Sequence, residues 1–213
     1  MDIITYIIFS IIVLVVSVVV HEVAHGAVAN SLGDPTAKYA GRLTLNPLKH
    51  LDFFGSFLLP LTMFLIAMRT GFGIILGYAK PVPINPYNFR DRKWGELKVA
   101  VAGVAANFAL ALIFGLILRF WPNVSGPISN NFNELLYLIV GTNLGLAIFN
   151  LIPIPPLDGS HILFNLLPSS QENFKIFLQR NSLFLMLFFL LFVLPYISPI
   201  VDLLFYLITG IRR

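Results

Sequence analysis

Long apolar runs dominate the pattern of this chain and predict membrane-spanning helices. The first run, Ile3–Val20, contains no charged residue, and its apolar character continues to about Ala29. A helix of roughly 20 apolar residues crosses the hydrocarbon core of a bilayer, which is about 30 Å thick. The first run is therefore long enough to span, and Leu97–Phe120 and Leu135–Ile152 predict two later spans.

Leu32–Pro35 contains glycine and proline and predicts the stop of the first helix. Two less regular segments follow it. Lys38–Leu45 alternates between apolar and polar positions, which is typical of a strand. Phe53–Tyr78 is apolar, but Pro60 and Arg69–Gly71 interrupt it. It is too interrupted for two ordinary spans, so it predicts a hairpin or re-entrant element that enters and leaves the membrane on one side.

These elements predict an all-α polytopic membrane protein with about five to six membrane segments and a short β-hairpin-like or re-entrant element after the first span. We expect one integral membrane domain over residues 1–213, with its core roughly in residues 3–165. A C-terminal apolar segment occupies residues 182–208, where Pro195 and Pro199 leave open whether it crosses once or twice.

Composition agrees with a membrane protein and narrows the chemistry. Of the 213 residues, 57% are hydrophobic and 11% are charged, whereas about a quarter of a soluble domain is charged. The absence of cysteine excludes disulfides, thiolate nucleophiles and cysteine-ligated zinc. Any zinc site must therefore use histidine and carboxylate, and the chain has four histidines and ten acidic residues.

The basic residues predict an orientation in the membrane. The net charge is +4, but Lys and Arg lie mainly in loops, which favours the positive-inside rule over nucleic-acid binding. Placing residues 30–52, 69–98 and 155–181 in the cytoplasm puts eleven of fourteen basic residues there. Because Met1–Asp2 has no basic region, we expect the first run to be a retained anchor of a multi-pass protein.

The end of the first run carries an H-E-x-x-H motif. Helical positions four apart share a face, so His21 and His25 can bind one metal ion. Glu22 lies beside them and could take a proton from water at the metal. A rise of about 1.5 Å per residue puts His21 roughly 27 Å along the helix from Ile3, still within the membrane. Charged groups there are costly, which indicates a function.

The third metal ligand is expected at Asp158. Catalytic zinc usually takes three protein ligands and keeps one position open. Asp158 lies in Asn150–Gly159, where three prolines forbid a regular helix. Irregular backbone at membrane depth is tolerated only where it is buried or lines a cavity. Alone, the Asp-Gly pair would more often be a turn, but together with the histidine motif it predicts a ligand.

With these two motifs, the chain resembles the site-2 protease family of intramembrane zinc metalloproteases. That family pairs H-E-x-x-H in one span with N-x-x-P-x-x-x-x-D-G in a later one, and this sequence has them at His21–His25 and Asn150–Gly159. Gly77–Asn85 is similar to the small bacterial and archaeal members without a PDZ insert. The resemblance covers roughly residues 10–165.

The resemblance implies one zinc ion per chain, held by His21, His25 and Asp158, with Glu22 as general base and acid. It also implies a catalytic role for Asn107, because the family places an asparagine after G-P-x-x near the scissile carbonyl. In this chain a valine replaces that proline.

The resemblance further implies the setting of the reaction. The expected activity is hydrolysis of peptide bonds near the cytoplasmic face of a prokaryotic plasma membrane. The expected partners are the lipid bilayer and a membrane-protein or transmembrane-peptide substrate, with no nucleic acid, and the oligomeric state stays open. The strand predicted at Lys38–Leu45 could pair with an unwound substrate.

Other interpretations remain open. The chain could be a membrane zinc-binding or transport protein, or a catalytically silent relative. Asn107 could bond between helices, and Asn150 could hold the proline loop. His161 could support the metal site, although a satisfied buried histidine is the favoured interpretation. Asn143 carries no signal beyond packing.

Overall fold

The computed structural model describes residues 2–52, 80–120 and 127–212, together with Leu58 and Thr62. Within these ranges the chain is helical and has no strand, which confirms the all-α prediction. Its α-helices are α1 (Ile3–Ser31), α2 (Thr36–Tyr39), α3 (Gly95–Phe120), α4 (Pro127–Asn150), α5 (Asp158–Leu166), α6 (Glu172–Arg180), α7 (Ser182–Phe188) and α8 (Ser198–Thr209). Short 3-10 or π turns lie at Pro47–Lys49, Pro86–Asn88, Ser169–Gln171, Phe189–Val193 and Leu194–Tyr196.

Three of the described helices are long and apolar enough to cross a membrane, namely α1, α3 and residues 131–150 of α4. A fourth span is possible if α6 and α7, with their adjoining turns, act as one span bent by 68°. The expectation of five to six segments is therefore not supported. The expected re-entrant element at Phe53–Tyr78 lies outside the described residues, apart from Leu58 and Thr62.

Proline divides the C-terminal apolar segment. The turn Leu194–Tyr196 contains Pro195 and separates α7 with its π extension from α8. Pro199 lies in the first turn of α8, where its missing N–H costs nothing. At about 1.5 Å per residue, α8 is roughly 18 Å long and too short to span alone.

The strand predicted at Lys38–Leu45 is wrong. Helix α2 already occupies Thr36–Tyr39, and Gly41, at φ 64°, turns the chain after it. The burial is also opposite to the predicted faces: Tyr39 is 83% exposed, whereas Arg42 is 8% exposed and donates to a main-chain oxygen. Pairing of this segment with substrate as an added strand is therefore not supported.

Local capping accounts for the bounds of α1. The Asp2 carboxylate accepts a hydrogen bond from the Thr5 N–H at 2.9 Å, as an N-cap does. At the other end, Gly33 has φ 108° and the Asp34 N–H donates to the Ala29 carbonyl at 3.0 Å. This is a Schellman ending, which requires the left-handed glycine. The predicted stop after α1 is confirmed.

Helix α3 is the centre of the assembly, since it packs against α1, α4, α5 and α8. Toward its C-terminal end it lies in an apolar core that also includes α4 and α8. The buried members of this core are Ala111, Leu118, Leu136, Val140, Leu144 and Phe205. The N-terminal half of α3 faces α1 and α5, and this contact forms the candidate site.

Candidate metal centre

Three predicted ligands converge at one point between α1 and α5. The Nε2 atoms of His21 and His25 lie 2.9 Å apart. The Oδ2 atom of Asp158 lies 3.1 Å from the first and 3.3 Å from the second. Both histidines are buried, being 6% and 7% exposed. Four-residue spacing on α1 places the two rings on one face, and the start of α5 brings the carboxylate to them.

Hydrogen bonding leaves the convergent atoms with free lone pairs. The Nδ1 atom of His25 is 2.7 Å from the Val99 carbonyl oxygen, which can only accept, so Nδ1 carries the proton and Nε2 is bare. The Oδ2 atom of Asp158 is buried and receives no hydrogen bond from the described residues. Neutral imidazole nitrogens and a buried carboxylate oxygen repel one another, and a cation at their centre removes that conflict.

The residues present fit zinc. Zinc takes histidine nitrogen at about 2.0–2.1 Å and carboxylate oxygen at about 2.0–2.2 Å in a tetrahedral arrangement. Two such ligands lie roughly 3.3 Å apart, close to the separations found here. Among the described residues, His21, His25 and Asp158 are the one group that could hold a metal ion.

The residue that follows Asp158 must be glycine for steric reasons. A Cβ on Gly159 would lie 2.2 Å from the Leu151 carbonyl oxygen and 2.5 Å from that of Ile152. These are main-chain atoms that no side-chain rotation can move. The turn after α4 thus folds back over the first residues of α5, and only glycine permits the approach that places Asp158.

Glu22 points to a different partner from the histidines beside it. Its Oε2 atom accepts a hydrogen bond from the Val82 N–H at 2.9 Å. Pro81 and Pro83 flank this residue and have no N–H. The Val82 N–H is thus the one main-chain donor of residues 81–83. It is directed at the carboxylate of Glu22, the predicted base.

Asp34 holds the segment that carries Val82. Its buried carboxylate accepts hydrogen bonds from the Asn85 N–H at 2.7 Å and the Asn88 side-chain amide at 2.8 Å. Burial raises the pKa of Asp34, but these bonds and those from Thr36 lower it more, so its pKa lies below the ordinary value. In the sequence, this aspartate is recognisable only as part of the stop after α1.

A cavity of about 380 Å³ opens beside the convergent atoms. Its lining combines the polar groups of the site with apolar residues from α3 and the proline-rich segment. The polar members are His21, Glu22, His25, Glu96, Asn150, Asp158 and His161, and the apolar members include Val82, Ile84, Phe89, Val99 and Ala100. A cavity with an apolar wall and a few polar groups is the usual form of a substrate site.

Asn107 lies behind the histidines. It is fully buried, and its Oδ1 atom lies 2.6 Å from His21 Nδ1. It is absent from the cavity lining. Its predicted catalytic role stays a prediction, and the contact shown is with a metal-ligand candidate.

Two other candidates do lie on the cavity. Asn150 donates to the Leu146 carbonyl at 3.0 Å and lines the cavity. His161 also lines it, but it is exposed, so its interpretation as a buried histidine is wrong.

Three residues that support the histidines could not be recognised as such in the sequence. A Cβ on Gly103 would lie 2.4 Å from His25 Nε2 and 2.6 Å from His21 Cε1, so the helices approach there only because the residue is glycine. Ser17 and Asn143 hydrogen-bond to each other behind His21. Ser17 lies four residues before His21, which is the one signal in the sequence that could have drawn attention to it.

Comparison with known proteins agrees with this geometry. The model of peptidase family M50 matches residues 121–194, the part of the chain that contains Asp158. Two bacterial relatives carry the name "Putative zinc metalloprotease". One is YwhC of Bacillus subtilis, 38% identical over 164 residues, which are 75% of this chain and 69% of the relative. The other is Rip2 of Mycolicibacterium smegmatis, 34% identical over 144 residues, 67% of this chain and 51% of the relative.

A more distant relative comes from Methanocaldococcus jannaschii and is named a zinc metalloprotease. It is 34% identical over 84 residues, which cover 38% of this chain and 23% of the relative. No solved structure matches the chain. The similarity to the B. subtilis protein over most of both chains, together with the family match, leads to one conclusion: this chain belongs to peptidase family M50, the site-2 proteases, and is a membrane zinc metalloprotease.

Proposed function

We propose that this protein cleaves peptide bonds of membrane-embedded substrates near the cytoplasmic face of the cell membrane. In this proposal His21, His25 and Asp158 hold one zinc ion, and Glu22 is the general base and acid. The observation that carries it is the convergence of three buried lone-pair atoms within 3.3 Å of one another, next to a cavity.

The position of the site supports a membrane-embedded substrate. His21 lies within α1, roughly 27 Å along the helix from its first residue at about 1.5 Å per residue. A bilayer core is about 30 Å thick. The flanking segment 30–52 carries three basic residues, which supports the cytoplasmic side.

The proposed chemistry needs few groups. Zinc, when bound, acts as a Lewis acid that lowers the pKa of water toward about 7 and polarises the scissile carbonyl. Glu22 takes the proton of the attacking water and passes it to the leaving amine. The Val82 N–H holds one carboxylate oxygen of Glu22, which fixes the direction of the other.

Asn107 fits a positioning role better than direct contact with substrate. Its Oδ1 atom faces His21, and its Nδ2 atom donates to Asn143 at 2.8 Å and to the Ser17 carbonyl at 3.2 Å. These three bonds use both amide protons, which leaves none for an oxyanion. We therefore propose that Asn107 acts through His21.

Zinc transport is the weaker alternative. A transporter requires ligands at successive depths along a path. Across the described ranges the candidate ligands form a single group at one depth. Glu22 also lies beside that group in the position of a base, which transport does not require.

The test compares the full chain in detergent with Glu22→Gln. We expect zinc in both proteins and cleavage of a transmembrane peptide by the wild type alone, because the amide of glutamine cannot accept the proton. Glu172→Gln is the matched control, since this exposed carboxylate lies on α6 and pairs with Lys175. It is expected to retain both zinc and cleavage.

Two results would contradict the proposal. Cleavage by Glu22→Gln at the wild-type rate would show that Glu22 is not the general base. If the wild type takes up no zinc, or if His21→Ala binds zinc as well as the wild type does, the proposed metal site is wrong.

A further inference from the structure

A buried polar network lies behind His21 and joins three helices. Asn107 of α3 contacts His21 of α1 at 2.6 Å. Asn143 of α4 accepts from Asn107 at 2.8 Å and donates to the Ser17 hydroxyl of α1 at 2.9 Å. Asn107 and Asn143 are fully buried and Ser17 is 2% exposed. Three polar side chains in an apolar surrounding are costly unless their bonds are satisfied, so the network needs an explanation.

Two main-chain oxygens determine the direction of both amides. The Ile139 carbonyl accepts from Asn143 at 2.9 Å, and the Ser17 carbonyl accepts from Asn107 at 3.2 Å. A carbonyl oxygen can only accept, so the atom of each amide that faces it must be Nδ2. The Oδ1 atom of Asn143 then faces Asn107, and the Oδ1 atom of Asn107 faces His21.

The direction of the Asn107 amide also determines the tautomer of His21. Because Oδ1 of Asn107 can only accept, Nδ1 of His21 must carry the proton, and Nε2 is the bare nitrogen. Nε2 is also the atom that points at His25 and Asp158. The opposite tautomer would put a proton on Nε2, where a metal ion must bind.

We propose that Ser17, Asn107 and Asn143 form a positioning network that holds His21 in the tautomer and ring orientation required for zinc. Asn143 and Ser17 touch neither the metal position nor the cavity, and they act through Asn107. His25 achieves the same result with a single main-chain carbonyl, that of Val99. The inference rests on the proposed metal site and assigns residues that support it.

The test uses variants that remove the network in two steps. Asn143→Leu keeps the side-chain size and removes both the acceptor that orients Asn107 and the donor to Ser17. Ser17→Ala removes only the hydroxyl. Ser10→Ala is the matched control, because its hydroxyl donates to the Tyr6 carbonyl at 2.8 Å on the same helix and lies outside the network.

The readouts are zinc affinity by chelator competition and the visible spectrum of the cobalt-substituted protein. Loss of a group that orients a metal ligand costs roughly 10–100-fold in metal affinity. We expect a fall of about 10-fold or more for Asn143→Leu with a changed cobalt spectrum, a smaller fall for Ser17→Ala, and no change for Ser10→Ala. Added zinc should restore cleavage by Asn143→Leu, whereas it would not restore a misfolded protein.

The outcomes separate the network from the metal site. If the wild type binds zinc and Asn143→Leu binds it with equal affinity and an unchanged cobalt spectrum, the positioning network is wrong and the metal site stands. If the wild type itself takes up no zinc, the proposed metal site fails first. Loss of cleavage by Asn143→Leu that excess zinc does not restore would also overturn the positioning role, since it indicates general loss of structure.

Discussion

The two halves of α3 lie in very different surroundings. In the first half, Gly103 and Asn107 face two histidine rings and a set of buried amides. In the second half, Ala111 and Leu118 lie in the apolar core with α4 and α8. The first half thus supports the metal centre, and the second half holds the helices together.

This contrast shows how an apolar helix can carry a polar site. The C-terminal half is stabilised by dispersion and close packing, which have no preferred direction. The N-terminal half depends on hydrogen bonds with fixed directions, such as the 2.6 Å contact of Asn107 with His21. Damage to the C-terminal half should therefore lower stability, and damage to the N-terminal half should lower metal affinity.

The largest effect on stability is expected at the apolar core. Phe205 is fully buried, and its ring stacks on Tyr137 with centroids 5.4 Å apart. Phe205→Ala should lower the free energy of unfolding by about 3–5 kcal/mol, because it leaves a cavity. Zinc affinity of the folded protein should not change. Denaturant titration in detergent, followed by chelator competition, measures both quantities.

Phe120→Ala is the control for that variant. Phe120 ends α3 and is 76% exposed, so its loss should change the unfolding free energy by no more than about 0.5 kcal/mol. Equal destabilisation by the two variants would show that the core does not hold the helices as described.

The second-largest effect is expected on zinc affinity, at the N-terminal half of α3 beside the metal centre. Gly103→Ala places a methyl group 2.4 Å from His25 Nε2, and hydrogen bonds hold both rings. Overpacking of this kind costs roughly 1–3 kcal/mol, so zinc affinity should fall by about 10–100-fold. Chelator competition measures the change.

Gly115→Ala is the matched variant in the other half of α3. Its Cβ would meet Ile208 Cγ2 on α8 at 2.4 Å, far from the histidine rings. Zinc affinity should be unchanged. A fall in zinc affinity for Gly115→Ala, or no fall for Gly103→Ala, would show that the two halves of α3 do not differ in their effect on the metal site.

A smaller effect is expected at Asp34, beside the metal end. Its pKa is lower in the folded protein than its ordinary value of 3.8, so its charge stabilises the fold. That contribution is complete above the ordinary value and is lost as the pH falls through the folded pKa. Asp34→Asn should cost about 1–2 kcal/mol at pH 7, and the difference from wild type should shrink as the medium is acidified.

Thermal unfolding of both proteins across the acid range tests this. A destabilisation by Asp34→Asn that is the same at acid and neutral pH would show that the charge of Asp34 does not stabilise the fold.

The smallest effect is expected where α3 meets α8. Arg119 donates to the Leu207 carbonyl at 3.1 Å in the last turn of α8, where a cation is favourable. Arg119→Ala should cost less than about 1 kcal/mol, and Arg119→Lys should recover part of it. Unfolding midpoints measure both. A cost as large as that of Phe205→Ala would show that the polar contact, not the apolar core, holds α8.

Much of the site could be predicted from the chain alone. The H-E-x-x-H spacing placed His21 and His25 on one face of a helix, and the proline-rich run pointed to Asp158. The strand at Lys38–Leu45 could not be excluded, because alternation over a few residues does not reveal that Arg42 is buried and Tyr39 exposed. Proline division of the last apolar segment was visible, but the 68° bend before it was not.

Local composition and spacing are enough to predict the long apolar helices, the ends of α1 and the residue types that can bind zinc. Which side chains support the site depends on how the helices pack in three dimensions. Ser17, Gly103 and Asn143 gain their meaning from contacts between helices far apart in the chain. Such contacts depend on how the helices pack, and an apolar helix with a weak polar pattern does not encode which of its faces meets which neighbour.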